Sequence, residues 1–250
     1  MDTLITDFDV LDGSEAFVHP ALMNAHTFDS EEAALANVEG VVRTLLARAD
    51  RAPSFLDEIA RRWDGAADVA NGVTGDVVLL HIATMTNLFA ALAWSLAYTL
   101  LSPSSSSREH CVFEATRLGQ RSLMSREVLR AITFDDGQRE YRVERGVHLA
   151  TMLPVTNCEH VGATYDPSRW QQRALHHDVT VTTFGHGSHR CPAQRFSISA
   201  IVRTIDCLQA RYIMTPQFER IIPLPGQIGG VARSAEPCRV RYRLRNLKTV

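Results

Sequence analysis

The chain has 250 residues, 45% hydrophobic and 22% charged, with a formal net charge of −2. That make-up supports one sizeable core or two small ones. It offers no bulk attraction to nucleic acid or to an anionic membrane surface, so no nucleic-acid partner is expected. Five cysteines (Cys111, Cys158, Cys191, Cys207 and Cys238) are an odd number without CxxC spacing, which argues against a disulfide framework and for free thiols. The opening residues MDTLITDFDVLDGSE are acidic and lack the basic-then-apolar layout of a signal peptide, and the closing NLKTV carries no prenylation or retention signal.

Residues 31–64 read as helix, acidic first and basic later, as the helix dipole favours. Leu45, Leu46, Phe55, Leu56, Ile59 and Trp63 supply apolar stripes, and Pro53 with Ser54 starts a second helix. NGVTGD (71–76) reads as a loop. Residues 77–101 then run without a charged side chain and are long enough to span a bilayer. Against a membrane span stand His81, Thr84, Thr86, Asn87, Ser95 and Thr99 within the run, and no basic anchor before Arg108. A long helix through the centre of a large protein accounts for the same pattern and is the preferred reading.

SPSSSS (102–107) is a short break, and a helix holding Glu114 and Arg117 is expected over 108–122. The DDG turn at 135–137 between alternating runs predicts paired short strands. Residues 154–183, with Pro167, Arg169 and Trp170, read as irregular. A helix follows with Ile198, Ile201, Ile205 and Leu208 on one face, and CRVRYRLR (238–245) alternates as a strand with Val240, Tyr242 and Leu244 inward. The fold class is mainly α with small β-sheets (α+β).

The chemistry concentrates in Phe184-Gly185-His186-Gly187-Ser188-His189-Arg190-Cys191-Pro192-Ala193. Pro192 stands where a first helical residue is expected, which puts Cys191 at a helix N-terminus; there the dipole, His189 and Arg190 favour a thiolate. Gly185 and Gly187 let the backbone turn tightly, and Phe184 can shield one side of the sulfur. By spacing alone three other readings stay open: a buried structural cysteine, a zinc site drawing on His186, His189 and Cys191, and a phosphate loop using Gly185 and Gly187.

The pattern Phe-x-x-Gly-x-His-x-Cys-x-Ala resembles the heme-binding loop of cytochromes P450, with Ala193 where that family usually has Gly. Glu114-Ala115-Thr116-Arg117 resembles the family's Glu-x-x-Arg, and Pro167-Ser168-Arg169-Trp170 its Pro-x-Arg-Phe/Trp segment; in the family the glutamate and both arginines form a buried network. Tyr141 to Gly146 resembles a strand and turn lining the pocket. The resemblance implies heme b as cofactor, Cys191 as the metal ligand, and Phe184, Gly187 and His189 as cofactor-binding residues, His189 on a propionate. It makes 77–101 the helix that crosses the heme face, with Thr84 and Asn87 as the catalytic candidates beside the oxygen site. Leu88 stands in the usual Thr place, and the Asn pattern is nearest the bile-acid hydroxylase and prostacyclin synthase-like branch.

The resemblance covers about residues 40–245, with 184–193 as the heme loop and 192–211 as the helix after it; 1–39 match poorly. It implies a single partial cytochrome P450 domain lacking the N-terminal half and the helix normally found near 102–109, as in a truncated product or an incomplete gene model. The expected activity is monooxygenation of a small apolar substrate (lipid, sterol or terpenoid-like) with molecular oxygen. Electrons would come from a separate NADPH-dependent reductase, and membrane association at the endoplasmic reticulum would belong to a full-length eukaryotic parent. The alternatives are a heme-thiolate isomerase or dehydratase acting on a peroxide, and a non-catalytic remnant.

Overall fold

The computed structural model describes residues 2–13, 29–48, 52–159, 161–171 and 181–245. Among these, helices are joined by antiparallel two-stranded sheets, and the chain divides into two units, Met1–Phe89 and Ala90–Val250. The α+β expectation is met.

The first unit is helical. α1 (Asp2–Gly13) and α2 (Asp29–Ala47) precede a break and α3 (Phe55–Arg62). Leu4, Phe8 and Leu11 recur at helical spacing on α1 and join Val38, Val42, Ile59, Val73 and Val78 in one core. α3 starts as expected at Ser54, whose backbone N–H donates to the Asp57 carboxylate at 2.7 Å. Of the apolar residues read as its stripe, Ile59 is buried while Phe55 is 68% exposed.

The loop expected at 71–76 is instead inside α4 (Val69–His81). Asp68 caps that helix by accepting from Asn71 N at 3.1 Å, and the Asn71 N–H and the Arg43 guanidinium hold the Asp68 carboxyl below its usual range. Gly72 serves close packing rather than a turn. A Cβ there would lie 2.2 Å from the Trp63 ring, whose indole N–H donates to Asp76 Oδ2 at 3.0 Å. Gly72→Ala is therefore expected to push the indole off α4 at a cost of about 1–3 kcal/mol. A red shift of tryptophan emission would report it, because Trp94 and Trp170 are both buried; wild-type emission would show that the ring stays.

α4 runs through a π-helical turn, Ile82–Thr86, into α5 (Asn87–Leu101). The Thr86 hydroxyl donates to Asp12 Oδ1 on α1, and His81 stacks on Phe8 at 4.3 Å. Among the described residues, Val69–Leu101 is the helix long and apolar enough to cross a membrane, and 22% of its most apolar stretch is buried. The enclosed central helix read from the sequence is thus met on α5, where Ala90, Ala91, Trp94, Ser95 and Ala97 are buried, but not on α4 and the π turn, where Leu79 is 61% exposed.

In the second unit α6 (Arg108–Gly119) starts at Ser107, whose hydroxyl caps His110 N, and it ends three residues earlier than the 122 expected. It ends there because Gly119 lies under the Trp94 ring (a Cβ would sit 3.0 Å from it) and Gln120 turns extended to bridge Val231. The Trp94 indole is satisfied by Ala232 O at 2.7 Å. β1 (Leu123–Glu127) pairs with β4 (His148–Met152), and β2 (Ile132–Asp135) pairs with β3 (Glu140–Val143) around the DDG turn, as expected.

The stretch read as irregular opens with a helix, α7 (Leu153–Glu159), followed by a 3-10 turn at Pro167–Gln171; residues 160 and 172–180 lie outside the described residues. α8 (Gln194–Arg211) buries Ile198, Ile201 and Ile205 as predicted. β5 (Tyr212–Pro216) pairs with β6 (Val240–Leu244), but Tyr242 and Leu244 are 68% and 67% exposed rather than inward. An isolated ribbon of two strands gives alternation without giving an inside; Tyr242 meets only the edge of Tyr212 across the pair among its described ring contacts.

Candidate functional site

The second unit is organised around Glu114. This carboxylate is fully buried on α6 and meets five donors: Arg117 Nη2 (2.7 Å), Arg169 Nε (2.9 Å) and Asp166 N (3.1 Å) on Oε1, and Arg117 Nε (2.9 Å) and Trp170 Nε1 (2.8 Å) on Oε2. Arg117 grips it bidentately, as expected. Arg169 does not: it uses Nε alone, and the Trp170 indole occupies the second oxygen. The planar fork of Arg169 is turned to the carbonyls of Val161 and Thr164.

Arg117, also fully buried, spends its remaining N–H groups on the carbonyls of Asn157 (2.6 Å) and Gly162 (2.9 Å). Burial opposes its charge, but the Glu114 carboxylate and Cys158 more than offset this, and the guanidinium is held above its usual range. Buried ions of this kind are stable only when each lone pair and N–H finds a partner. Here the 3-10 turn is fastened directly to the α6 carboxylate, and α7 is joined to it through Arg117.

Cys191 lies on the far side of Phe113. The Phe113 ring stacks on Trp170 at 5.0 Å and meets the edge of Phe184 at 6.0 Å. The loop from Phe184 closes on itself: Gly185 N donates to Thr182 O (3.1 Å), Arg190 N to Gly187 O (3.2 Å), and Cys191 N to Phe184 O (2.8 Å). Gly185 and Gly187 have φ of +78° and +68°, a region closed to most side chains, and a Cβ on Gly187 would meet open space. Backbone curvature, not crowding, explains that glycine.

The cysteine is free and half-buried. It lines a cavity of about 610 Å³ with Glu109, Phe113, Arg190, Gln194 and Ile198. One expectation needs correction: Pro192 is not the first helical residue. α8 begins at Gln194 with Ala193 as its cap, and Cys191 sits in a separate turn closed by Gln194 N on Cys191 O at 3.4 Å. Proline cannot donate, so it fits this turn as well as it would fit a first helical position.

Of the residues singled out in the sequence, Phe184, Gly187 and Cys191 come together in this loop. The backbone of His189 closes a 3-10 turn, Gly187–His189, while its side chain lies outside the described residues. Thr84 and Asn87 belong to the first unit; Thr84 donates to Leu80 O at 2.5 Å and Asn87 to Ala83 O at 3.2 Å, both along their own helix. Among the described residues no three of His, Cys, Asp and Glu gather as a metal cluster would require. The sequence reading missed Trp170 as a carboxylate partner, and also Gln120 and Asn157. The signal for Trp170 was present, since a tryptophan beside a buried ion pair needs somewhere to place its N–H.

No family model matches the sequence, and no curated protein matches it. Among solved structures, the chain is similar to the crystal structure of a cytochrome P450 (CYP102L1), with a TM-score of 0.66 and 14% identity. The similarity covers 86% of this chain and 56% of that one, so the chain spans little more than half the length of that structure. The chain carries part of the cytochrome P450 fold, a mixed helical architecture with small antiparallel sheets.

Proposed function

We propose that this chain is the heme-binding part of a heme-thiolate oxidoreductase, with Cys191 as the axial ligand of heme b. The observation that carries the reading is the free, half-buried Cys191 in a loop of two left-handed glycines, set beside a Glu114–Arg117–Arg169 network within a partial cytochrome P450 fold. The donor set suits such a group. Among the described residues no three of His, Cys, Asp and Glu gather, so a single thiolate ligand suits the donor set better than a tetrahedral zinc site.

In this reading the loop backbone would hold the sulfur, Phe184 would limit water on one side of it, His189 would bind a heme propionate, and Arg190 would add positive charge near the thiolate. When bound, the heme supplies oxygen activation, which a thiolate ligand favours by donating electron density. The substrate class consistent with this chemistry is small and apolar, lipid, sterol or terpenoid-like, with electrons from a separate NADPH-dependent reductase. Purified protein supplied with heme, reduced and treated with carbon monoxide, should show the red-shifted Soret band of thiolate ligation. A heme-loaded sample without that band, or a sample that takes up no heme, overturns the proposal.

A further inference from the structure

Two buried amide side chains grip the segment that leads into the cysteine loop. Gln120, one residue beyond α6, donates from Nε2 to Thr183 O at 2.9 Å, while its Oε1 accepts from Arg121 N and Ser122 N, each at 2.9 Å. Asn157 on α7 accepts from Thr182 N on its Oδ1 at 2.9 Å. All four residues are buried, Asn157 completely. Thr182 in turn accepts from Gly185 N on its carbonyl, and Phe184, the residue after Thr183, accepts from Cys191 N.

We propose that Gln120 and Asn157 are positioning residues that set the location of the Cys191 sulfur. The inference rests on Cys191 being the ligand proposed above. Three features support it. The two amides hold adjacent peptide units, Thr182 through its N–H and Thr183 through its carbonyl, so the segment is fixed against both sliding and rotation. Asn157 also passes its own carbonyl to Arg117, which ties the loop to the Glu114 network through one residue. Finally, Asn157 Nδ2 is buried and, among the described residues, has no hydrogen-bond partner. An apolar residue of the same shape would leave the buried Thr182 N–H without its acceptor, so the contact made by Oδ1 is what an amide supplies at this position. Its Oδ1 is the useful end. Neutral amides also fix the backbone without adding a charge beside a thiolate. A ligand atom must be held to a fraction of an ångström by a supporting shell, and these two side chains are that shell on the upstream side.

Gln120→Met tests the first grip without adding a charge: it keeps the length and neutrality of the side chain but loses the donor to Thr183 O. Asn157→Leu tests the other grip. In the heme-loaded, reduced, carbon-monoxide-treated protein, each variant is expected to shift the signal from the thiolate band toward the neutral-thiol band, leaving less than about half the wild-type thiolate share. Hydrogen exchange of the Cys191 amide should quicken by about tenfold or more while the α8 amides of Ile201 and Ile205 keep their protection. A wild-type band share in the variants overturns the proposal, as does a loss of protection at Ile201 and Ile205 equal to that at Cys191, which would mark a merely structural role. Should one variant fail to fold, the other carries the comparison. Absence of the thiolate band from the wild type would instead defeat the ligand assignment, and exchange at Cys191 would still decide the tether.

Discussion

Glu114→Gln is expected to destabilise the second unit by about 3–5 kcal/mol, because it removes the fully buried anion that pairs with the Arg117 and Arg169 guanidinium groups. The substitution is isosteric, so no cavity contributes. What changes is charge and polarity: the new amide would point N–H groups at donors that now meet carboxylate oxygens, among them Arg117 Nε at 2.9 Å and Trp170 Nε1 at 2.8 Å. Arg117 is fully buried and cannot turn to water, whereas the Arg169 side chain is 15% exposed and can. Hence Arg117→Met, which leaves Glu114 with Arg169, Trp170 and Asp166 N, should cost less than Glu114→Gln. Urea denaturation followed by far-UV circular dichroism measures both. Equal stability of Glu114→Gln and wild type would mean that the network is not formed in solution.

The second large effect is all-or-none. Cys191→Ala should abolish the thiolate band while changing unfolding free energy by less than about 1 kcal/mol, since the side chain is half-buried and its thiol is free. The pairing of the two measurements separates the readings left open by spacing alone. A structural cysteine would cost stability and leave any heme spectrum intact; a ligand does the reverse. Persistence of the band in Cys191→Ala would transfer ligation to another thiol, and Cys158, half-buried with Arg117 Nη1 at 3.6 Å from its sulfur, would be the first to replace.

Much of this architecture was legible because it rests on local rules. Pro53 with Ser54 announces the start of α3, DDG announces the β2–β3 hairpin, and Ile198, Ile201 and Ile205 mark the buried face of α8. Local rules also misled where a residue answers to a distant partner. Gly72 and Gly75 read as a loop, yet Gly72 is in mid-helix because the Trp63 ring needs its missing side chain. Tyr242 and Leu244 alternate correctly but have no layer to face, since periodicity specifies sides and not what covers them. α1 went unread although Leu4, Phe8 and Leu11 have helical spacing, because its acidic surface masks a narrow apolar stripe.

The sequence by itself singled out the candidate residues: Cys191 after two glycines, Glu114 three residues before Arg117, and Arg169 beside Trp170. Residue type and short spacing marked these positions, because a thiolate, a bidentate arginine and a left-handed turn each have few substitutes, but only the family resemblance chose heme among the readings that spacing left open. The tertiary structure alone decided how those residues are held. Which oxygen of Glu114 each donor takes, the replacement of a second bidentate arginine by an indole, and the grip of Gln120 and Asn157 on Thr182 and Thr183 all join residues 25 to 63 positions apart. Such pairings depend on how buried polar groups are shared out once the core has closed, and no local pattern encodes that division.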